Sequence, residues 1–217
     1  MQCKIRRRQG DKNVADFNEK SKLAYNKKAD NYDNTPEGRF TRNFQRLLVS
    51  EIELPHNGSI LDVACGNGSL LAALNAKTPI NGYGIDIAEQ MVQNAATNNP
   101  SMEFHTAGCE AIPFGDCSMD VITVCSAYHH FPDTAAFARE AKRILKPQGK
   151  VYVAEIYLPS VVRFLTNPFV PLSSEGDVRF YSPKEICKNF ERFGFVREIV
   201  KSFGHVQIVA MKKGVRD

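Results

Sequence analysis

No stretch of the 217-residue chain is long and apolar enough to span a membrane, and the opening MQCKIRRRQGDK carries charges with no apolar run behind them. A secretory signal is therefore not expected, and a cytoplasmic protein is. The six cysteines (Cys3, Cys65, Cys109, Cys117, Cys125, Cys187) form no CxxC pair, and no histidine–cysteine group has zinc-ligand spacing. They read as reduced, mostly buried small hydrophobes, with no metal expected. Repeats, low-complexity tracts and linkers are also missing, so the length accommodates one substantial α/β domain.

Charge of one sign is scarce outside the N-terminus. The net +4 is carried by Lys4, Arg6, Arg7, Arg8 and Lys12 set against Asp11, and the rest of the chain has 23 residues of each sign. Residues 1–12 read as a basic tail, and the neutral body argues against a dedicated nucleic-acid groove.

What is present is alternation. A helix is expected from Val14 to Asp33, with Tyr25, Ala29 and Tyr32 on one face, and a second after Thr35-Pro36, with Phe40, Phe44, Leu47 and Leu48 inward. Together, residues 13–53 read as a helical cap on a single domain spanning 13–217. Five strands follow, near Ser59–Val63, Ile80–Ile87, Met102–Ala107, Val121–Cys125 and Lys150–Ile156, separated by helices. Such alternation implies a parallel sheet with helices on both faces. Leu158–Leu172 is apolar but broken by three prolines, and 157–181 reads as a lid over an acceptor. Ser182-Pro183-Lys184-Glu185 is a capping box opening a helix. Phe195–Phe203 and Val206–Lys212 form an antiparallel hairpin.

The chain is organised around SILDVACGNGSLL, residues 59–71, a buried strand entering a glycine turn that opens a helix. Ligands of open α/β sheets bind at the carboxyl ends of the strands, which selects four segments. The first holds Asp62, Ala64, Cys65 and the Gly66-Asn67-Gly68 loop. The second ends on Asp86, where a carboxylate can accept both hydroxyls of a ribose. The third ends in Gly108-Cys109-Glu110-Ala111, and the fourth in Cys125-Ser126-Ala127-Tyr128-His129-His130.

LDVACGNG, GIDIAEQM, GCEAIPF, CSAYHHFPD and LKPQGKVYVAE, occurring in that order, resemble the class I S-adenosylmethionine-dependent methyltransferases, most closely the small-molecule group similar to the quinone-biosynthesis C-methyltransferases. The resemblance runs from about Tyr25 to Glu155. It implies a Rossmann-like seven-stranded sheet, mostly parallel, whose antiparallel C-terminal hairpin is a family feature. It also implies S-adenosylmethionine as cofactor, S-adenosylhomocysteine as product and a small-molecule acceptor. Carried over, Asp62 to Gly68 meet the methionine part, Asp86 holds the ribose, Ile87 and Met91 flank the adenine, and the YNKKADNYD cap brings Tyr32, with Tyr25, to the sulfonium. Gly108 to Ala111 and Cys125 with Ser126 complete the wall.

Two positions depart from the family. Ala64 replaces the first glycine of the usual pattern and is tolerated if its φ is negative. Cys109 stands where an aspartate usually accepts from the adenine amino group, and a thiol is a poorer acceptor. His129 or His130 is the expected base if the acceptor is a hydroxyl or an acidic carbon. Tyr128, Arg163, Phe164, Phe169 and Arg179 are the expected acceptor contacts, for an apolar or aromatic small molecule bound by a monomer or homodimer. Two other readings stay open: a methyltransferase-like protein that binds without catalysis, and a nicotinamide-dependent oxidoreductase. Against the latter, Leu71 stands where a dinucleotide loop wants its third glycine.

Overall fold

The computed structural model describes residues 9–214, so Cys3 and the basic residues Lys4, Arg6, Arg7 and Arg8 lie outside it. Strands β1 (Gly58–Val63), β2 (Ile80–Asp86), β3 (Glu103–Thr106), β4 (Met119–Cys125), β5 (Leu145–Ile156), β6 (Phe195–Phe203) and β7 (Val206–Lys213) form one sheet in the order 3-2-1-4-5-7-6. Pairing is parallel from β3 through β5, and β7 runs antiparallel between β5 and β6. The order reverses at β1, beside which β2 and β4 both lie, and this opens a crevice at their carboxyl ends.

Alternating side chains pack helices on both faces. Phe44 and Leu48 of α2 (Pro36–Glu51), with Leu70, Leu71 and Leu74 of α3 (Ser69–Lys77), cover Ile60, Val121, Tyr152 and Ile208. On the other face Phe137, Ala138 and Ala141 and Ile186 and Phe190 pack over Leu61, Ile122, Val124 and Val209. The former belong to the helix Thr134–Ile144 and the latter to Pro183–Glu191, which are α5 and α7 once α4 (Glu89–Asn98) and α6 (Ser160–Thr166) are counted. The Ser182–Glu185 capping box forms as expected, as does the Thr35 cap, whose hydroxyl accepts from Gly38 N at 3.0 Å.

The cap differs from expectation in detail. Its first helix, α1, runs Gln9–Lys28 and then tightens into a 3₁₀ turn, Ala29–Asn34, so it takes in residues 9–12 of the expected tail and ends sooner than Asp33. Phe40 of α2 is 40 % exposed instead of buried, and its ring stacks on His205. Strand β5 starts at Leu145, five residues before the expected Lys150, because Leu145 pairs with Met119 across an irregularity in β4. Leu158–Leu172 breaks as its prolines require, into the short α6 and a 3₁₀ turn at Val170–Leu172.

Candidate cofactor site and the residues around it

The crevice is a cleft of about 920 Å³, open mouth included. Asp62 forms part of its floor. This carboxylate is 2 % exposed in the central strand, and Oδ1 accepts from the Thr123 hydroxyl at 2.7 Å. Burial raises its pKa to about 7, against the Thr123 hydrogen bond, which lowers it, and with help from the neighbouring negative Asp86.

The β1–α3 turn is shaped by Asp86. Its Oδ2 accepts from Gly66 N and its Oδ1 from Ala88 N, both at 2.9 Å, so one side chain ties the glycine turn to the start of α4. Burial raises its pKa, opposed by these main-chain donors. Each oxygen keeps a lone pair, so further donors such as hydroxyls can be accepted. At Gly66, with φ 53°, a Cβ would meet nothing within 4 Å, which leaves bare main chain facing the cleft. Ala64 has φ 59°, not the negative value expected of it. Its left-handed conformation is held by the turn, where Cys65 N donates to Ile85 O at 2.9 Å.

The cap closes the cleft from above. Asn67 donates to Asp33 at 2.7 Å, Gln45 donates to Ser69 at 2.8 Å, and Gln90 N at the start of α4 donates to Asn26 at 3.0 Å. Tyr25 and Tyr32 meet edge to face with centroids 6.0 Å apart, and the Tyr32 hydroxyl bonds Thr41 at 3.2 Å. Tyr25 also shares a 3.0 Å hydrogen bond with His130 Nε2, whose direction depends on the imidazole tautomer. Burial and the adjacent His129 hold His130 neutral, with a pKa well below 6.5.

Of the expected cofactor residues, Tyr25, Tyr32, Asp62, Ala64, Cys65, Gly66, Asn67, Asp86, Ile87, Met91, Gly108, Cys109, Cys125 and Ser126 line the cleft, together with His130. Gly68, Glu110 and Ala111 do not. Gly68 is turned toward Asn99 and Phe104, and the Glu110 carboxylate reaches back to Asn18. Cys109 keeps a protonated thiol, since burial pushes its pKa far up. Residues the sequence did not bring forward also line the cleft, including Asn18, Ser21, Thr41, Gln45 and Phe131.

The expected acceptor contacts lie elsewhere. Tyr128 is fully buried among Phe131, Phe137 and Tyr181, its hydroxyl accepting from Asn189, so it is a core residue. Arg163, Phe164 and Arg179 line a separate surface groove in which both arginines face Glu185, and Phe169 is 68 % exposed. The prolines turn this stretch outward, and residues 175–177 approach the cap instead. Glu175 accepts from Ser21 through its carbonyl and pairs with Lys28 through its carboxylate, and Gly176 packs on α1.

His129 does not line the cleft. Its Nδ1 and main-chain N bond Glu155, a fully buried carboxylate ending β5. Desolvation opposes protonation of His129, but Glu155 and then Asp177 outweigh it and raise the pKa. Glu155 gave no sequence signal beyond an acid ending an apolar strand beside the one that delivers the histidines.

Residues 61–153, from β1 into β5, match a family model described as a methyltransferase domain. The demethylmenaquinone methyltransferase of Thermotoga maritima is 32 % identical over 173 residues, covering 69 % of this chain and 76 % of that protein. The chain belongs to the class I S-adenosylmethionine-dependent methyltransferases of the quinone C-methyltransferase type. Within that family, the ubiquinone/menaquinone biosynthesis C-methyltransferase UbiE of Geotalea daltonii is 34 % identical over 131 residues, 57 % of this chain and 56 % of the relative. The match thus spans about half the length of that relative. Two solved structures share the methyltransferase fold. A Haloferax volcanii protein in complex with the Trm112 methyltransferase activator has TM-score 0.77 and 19 % identity, covering 88 % of this chain and 98 % of that one. A SAM-dependent methyltransferase from Aquifex aeolicus has TM-score 0.63 and 21 % identity, covering 78 % and 89 %. The cofactor this family implies is S-adenosylmethionine. Asp86 with lone pairs to spare, bare main chain at Gly66 and a buried carboxylate at Asp62 fit its hydroxyls, its amino-acid end and its ammonium in kind.

Proposed function

We propose that the chain transfers a methyl group from S-adenosylmethionine to a small aromatic acceptor of quinol type. The observation that carries the proposal is the polarity of the cleft: carboxylates and bare main chain at the β1 and β2 ends, and the aromatic wall of Tyr25 and Tyr32 beside His130 under the cap. The acceptor class is drawn from the relatives, named for ubiquinone, menaquinone and demethylmenaquinone methylation.

When bound, the cofactor supplies an electrophilic methyl group on a positively charged sulfur. The chain's own work is then positioning and exclusion of water. The Asp86 carboxylate fixes the glycine turn, and the Asn67–Asp33 bond holds the cap shut over it. The faces of Tyr25 and Tyr32 attract a desolvated cation by about 0.5 to 2 kcal/mol. His130, held neutral, is a weak base, whereas His129 is turned away to Glu155. Within the proposed 157–181 lid, residues 175–177 close the acceptor side, and Arg163, Phe164, Phe169 and Arg179 stand outside it.

Purified protein incubated with methyl-labelled cofactor and a panel of apolar quinols and phenols tests the proposal. Label should pass to a quinol. A protein that binds cofactor but labels no acceptor in the panel would favour the binding-only reading, which the Cys109 substitution motivates.

A further inference from the structure

We propose that His129, His130 and Asp177 form a binding site for a divalent transition-metal ion of the zinc and cobalt class, at the acceptor edge of the cleft. The two histidines are consecutive in the 3₁₀ turn Tyr128–His130, yet their rings lean to the same side, with centroids 4.2 Å apart and a 38° tilt. Each ring is held by its other nitrogen. His129 Nδ1 lies 2.9 Å from both oxygens of Glu155, and His130 Nε2 is taken by the Tyr25 hydroxyl at 3.0 Å. That leaves His129 Nε2 and His130 Nδ1, which face one oxygen, Asp177 Oδ1, at 3.4 and 3.2 Å. The three donor atoms all lie within 4.8 Å of one another.

Asp177 is delivered by the chain running under it. Val178 N and Arg179 N both donate to the carbonyl of His129, at 2.8 and 3.4 Å, and Gly176 packs on α1. The carboxylate is 20 % exposed, so the group has a way in from solvent.

These contacts are not satisfied hydrogen bonds. His130 Nδ1 is buried with no well-aligned hydrogen bond among the described residues: Asp177 Oδ1 stands 3.2 Å away but out of line, and the main chain of Glu175 and Gly176 lies near the ring without closing such a bond. The 3.2 and 3.4 Å separations are those expected of ligands that share one ion. Nitrogen and oxygen ligands about 2.0 to 2.2 Å from one ion, at tetrahedral or octahedral angles, stand roughly 2.9 to 3.5 Å apart. An ion there would give His130 Nδ1 the partner it lacks, and burial makes that lack costly.

The surroundings match a metal site as well. Glu155 behind His129 is the carboxylate–histidine arrangement that orients a ligating imidazole and raises its basicity. Two imidazoles and one carboxylate suit zinc, cobalt, iron or nickel; magnesium and calcium prefer an all-oxygen shell. Three protein ligands leave at least one position for water or an exogenous oxygen. With Nδ1 on the ion, His130 carries its proton on Nε2 and donates to Tyr25, which fixes the direction of that hydrogen bond. Spacing along the chain offered no hint of the group, since Asp177 comes from the far side of β5 and α6.

The test is cobalt(II) titrated into chelator-stripped protein, read by its visible d–d absorption. The account expects ligand-field bands that saturate at one ion per chain and are bleached by zinc. Asp177→Asn, at a partly exposed loop position, should weaken binding by about tenfold or more, and Glu155→Gln by about 10- to 100-fold. His105→Ala, which removes the exposed His105–Glu103 pair, should change nothing. Absence of bands at saturating cobalt, or equal affinity in Asp177→Asn, overturns the assignment. The readout is the ion's own spectrum, so the result stands whether or not the protein binds S-adenosylmethionine.

Discussion

Replacing Asp62 by Asn should remove a pH dependence of stability that the wild-type chain carries. The folded carboxyl has a pKa of about 7 against an ordinary value of 3.8, because it is buried in the central strand with one hydroxyl partner. At about 1.4 kcal/mol for each tenfold change in proton affinity, this amounts to about 4 kcal/mol. The sign follows from proton counting. Between 3.8 and about 7 the native state holds a proton that the unfolded chain has released, so stability falls as pH rises through that window and levels off above it. The amide introduced by Asp62→Asn would keep the acceptor for Thr123 while losing the charge. Urea unfolding of both proteins from pH 4.5 to 8, read as the wild-type free energy minus that of the variant, cancels the contribution of the histidines, which titrate in the same range. The difference should fall by a few kcal/mol from pH 4.5 to 8. A flat or rising difference would refute the reasoning, because it would mean that Asp62 is ionised in the fold without penalty.

Other expectations rest on single residues. Ala64 at φ 59° carries left-handed strain of about 1 to 2 kcal/mol, offset on glycine substitution by about 0.4 to 1 kcal/mol of unfolded-chain entropy. Ala64→Gly should therefore stabilise by up to about 1.6 kcal/mol in chemical denaturation, and a destabilised variant would contradict the geometry. Tyr25→Phe keeps the ring but leaves His130 Nε2 without its hydroxyl partner, costing about 1 to 3 kcal/mol of stability. Cofactor affinity in that variant should stay within about twofold, since the ring face is unchanged, whereas Tyr25→Ala should weaken it by about 0.5 to 2 kcal/mol. Gly84→Ala would place a Cβ 2.5 Å from the Phe104 ring and 2.8 Å from Cys65 Sγ, in β2 and behind the glycine turn. A destabilisation of about 1 to 3 kcal/mol is expected, measured by thermal unfolding.

What was legible in the sequence was what local chemistry decides. The Ser182–Glu185 and Thr35-Pro36 helix starts are hydrogen bonds between near neighbours, and both form. The acid, glycine and strand-end positions marked the cleft because a parallel sheet sends all its strand ends to one edge. What was not legible depended on contacts across the chain. Whether Ala64 takes a positive φ is set by Asp86 and Ile85 on the neighbouring strand, not by its own identity. Tyr128 looked like a site residue beside two histidines, but the 3₁₀ turn rotates it into the aromatic core. The fifth strand was expected to start near Lys150, yet Leu145 already pairs with β4. Arg163 and Arg179 suggested an acceptor contact, but Glu185 in the capping box of α7 draws both to its own groove. Glu155 and Asp177 meet the histidines only through tertiary structure.

The most direct measurement is calorimetric titration of the chain with S-adenosylmethionine and S-adenosylhomocysteine, alongside a nicotinamide dinucleotide, in wild type and Asp86→Ala. The account predicts that both adenosyl ligands bind at a single site, that the dinucleotide does not compete, and that Asp86→Ala weakens binding by at least about tenfold, or about 1.4 kcal/mol, through loss of the carboxylate that organises the Gly66 turn. Unchanged affinity in Asp86→Ala, or preference for the dinucleotide, would contradict it.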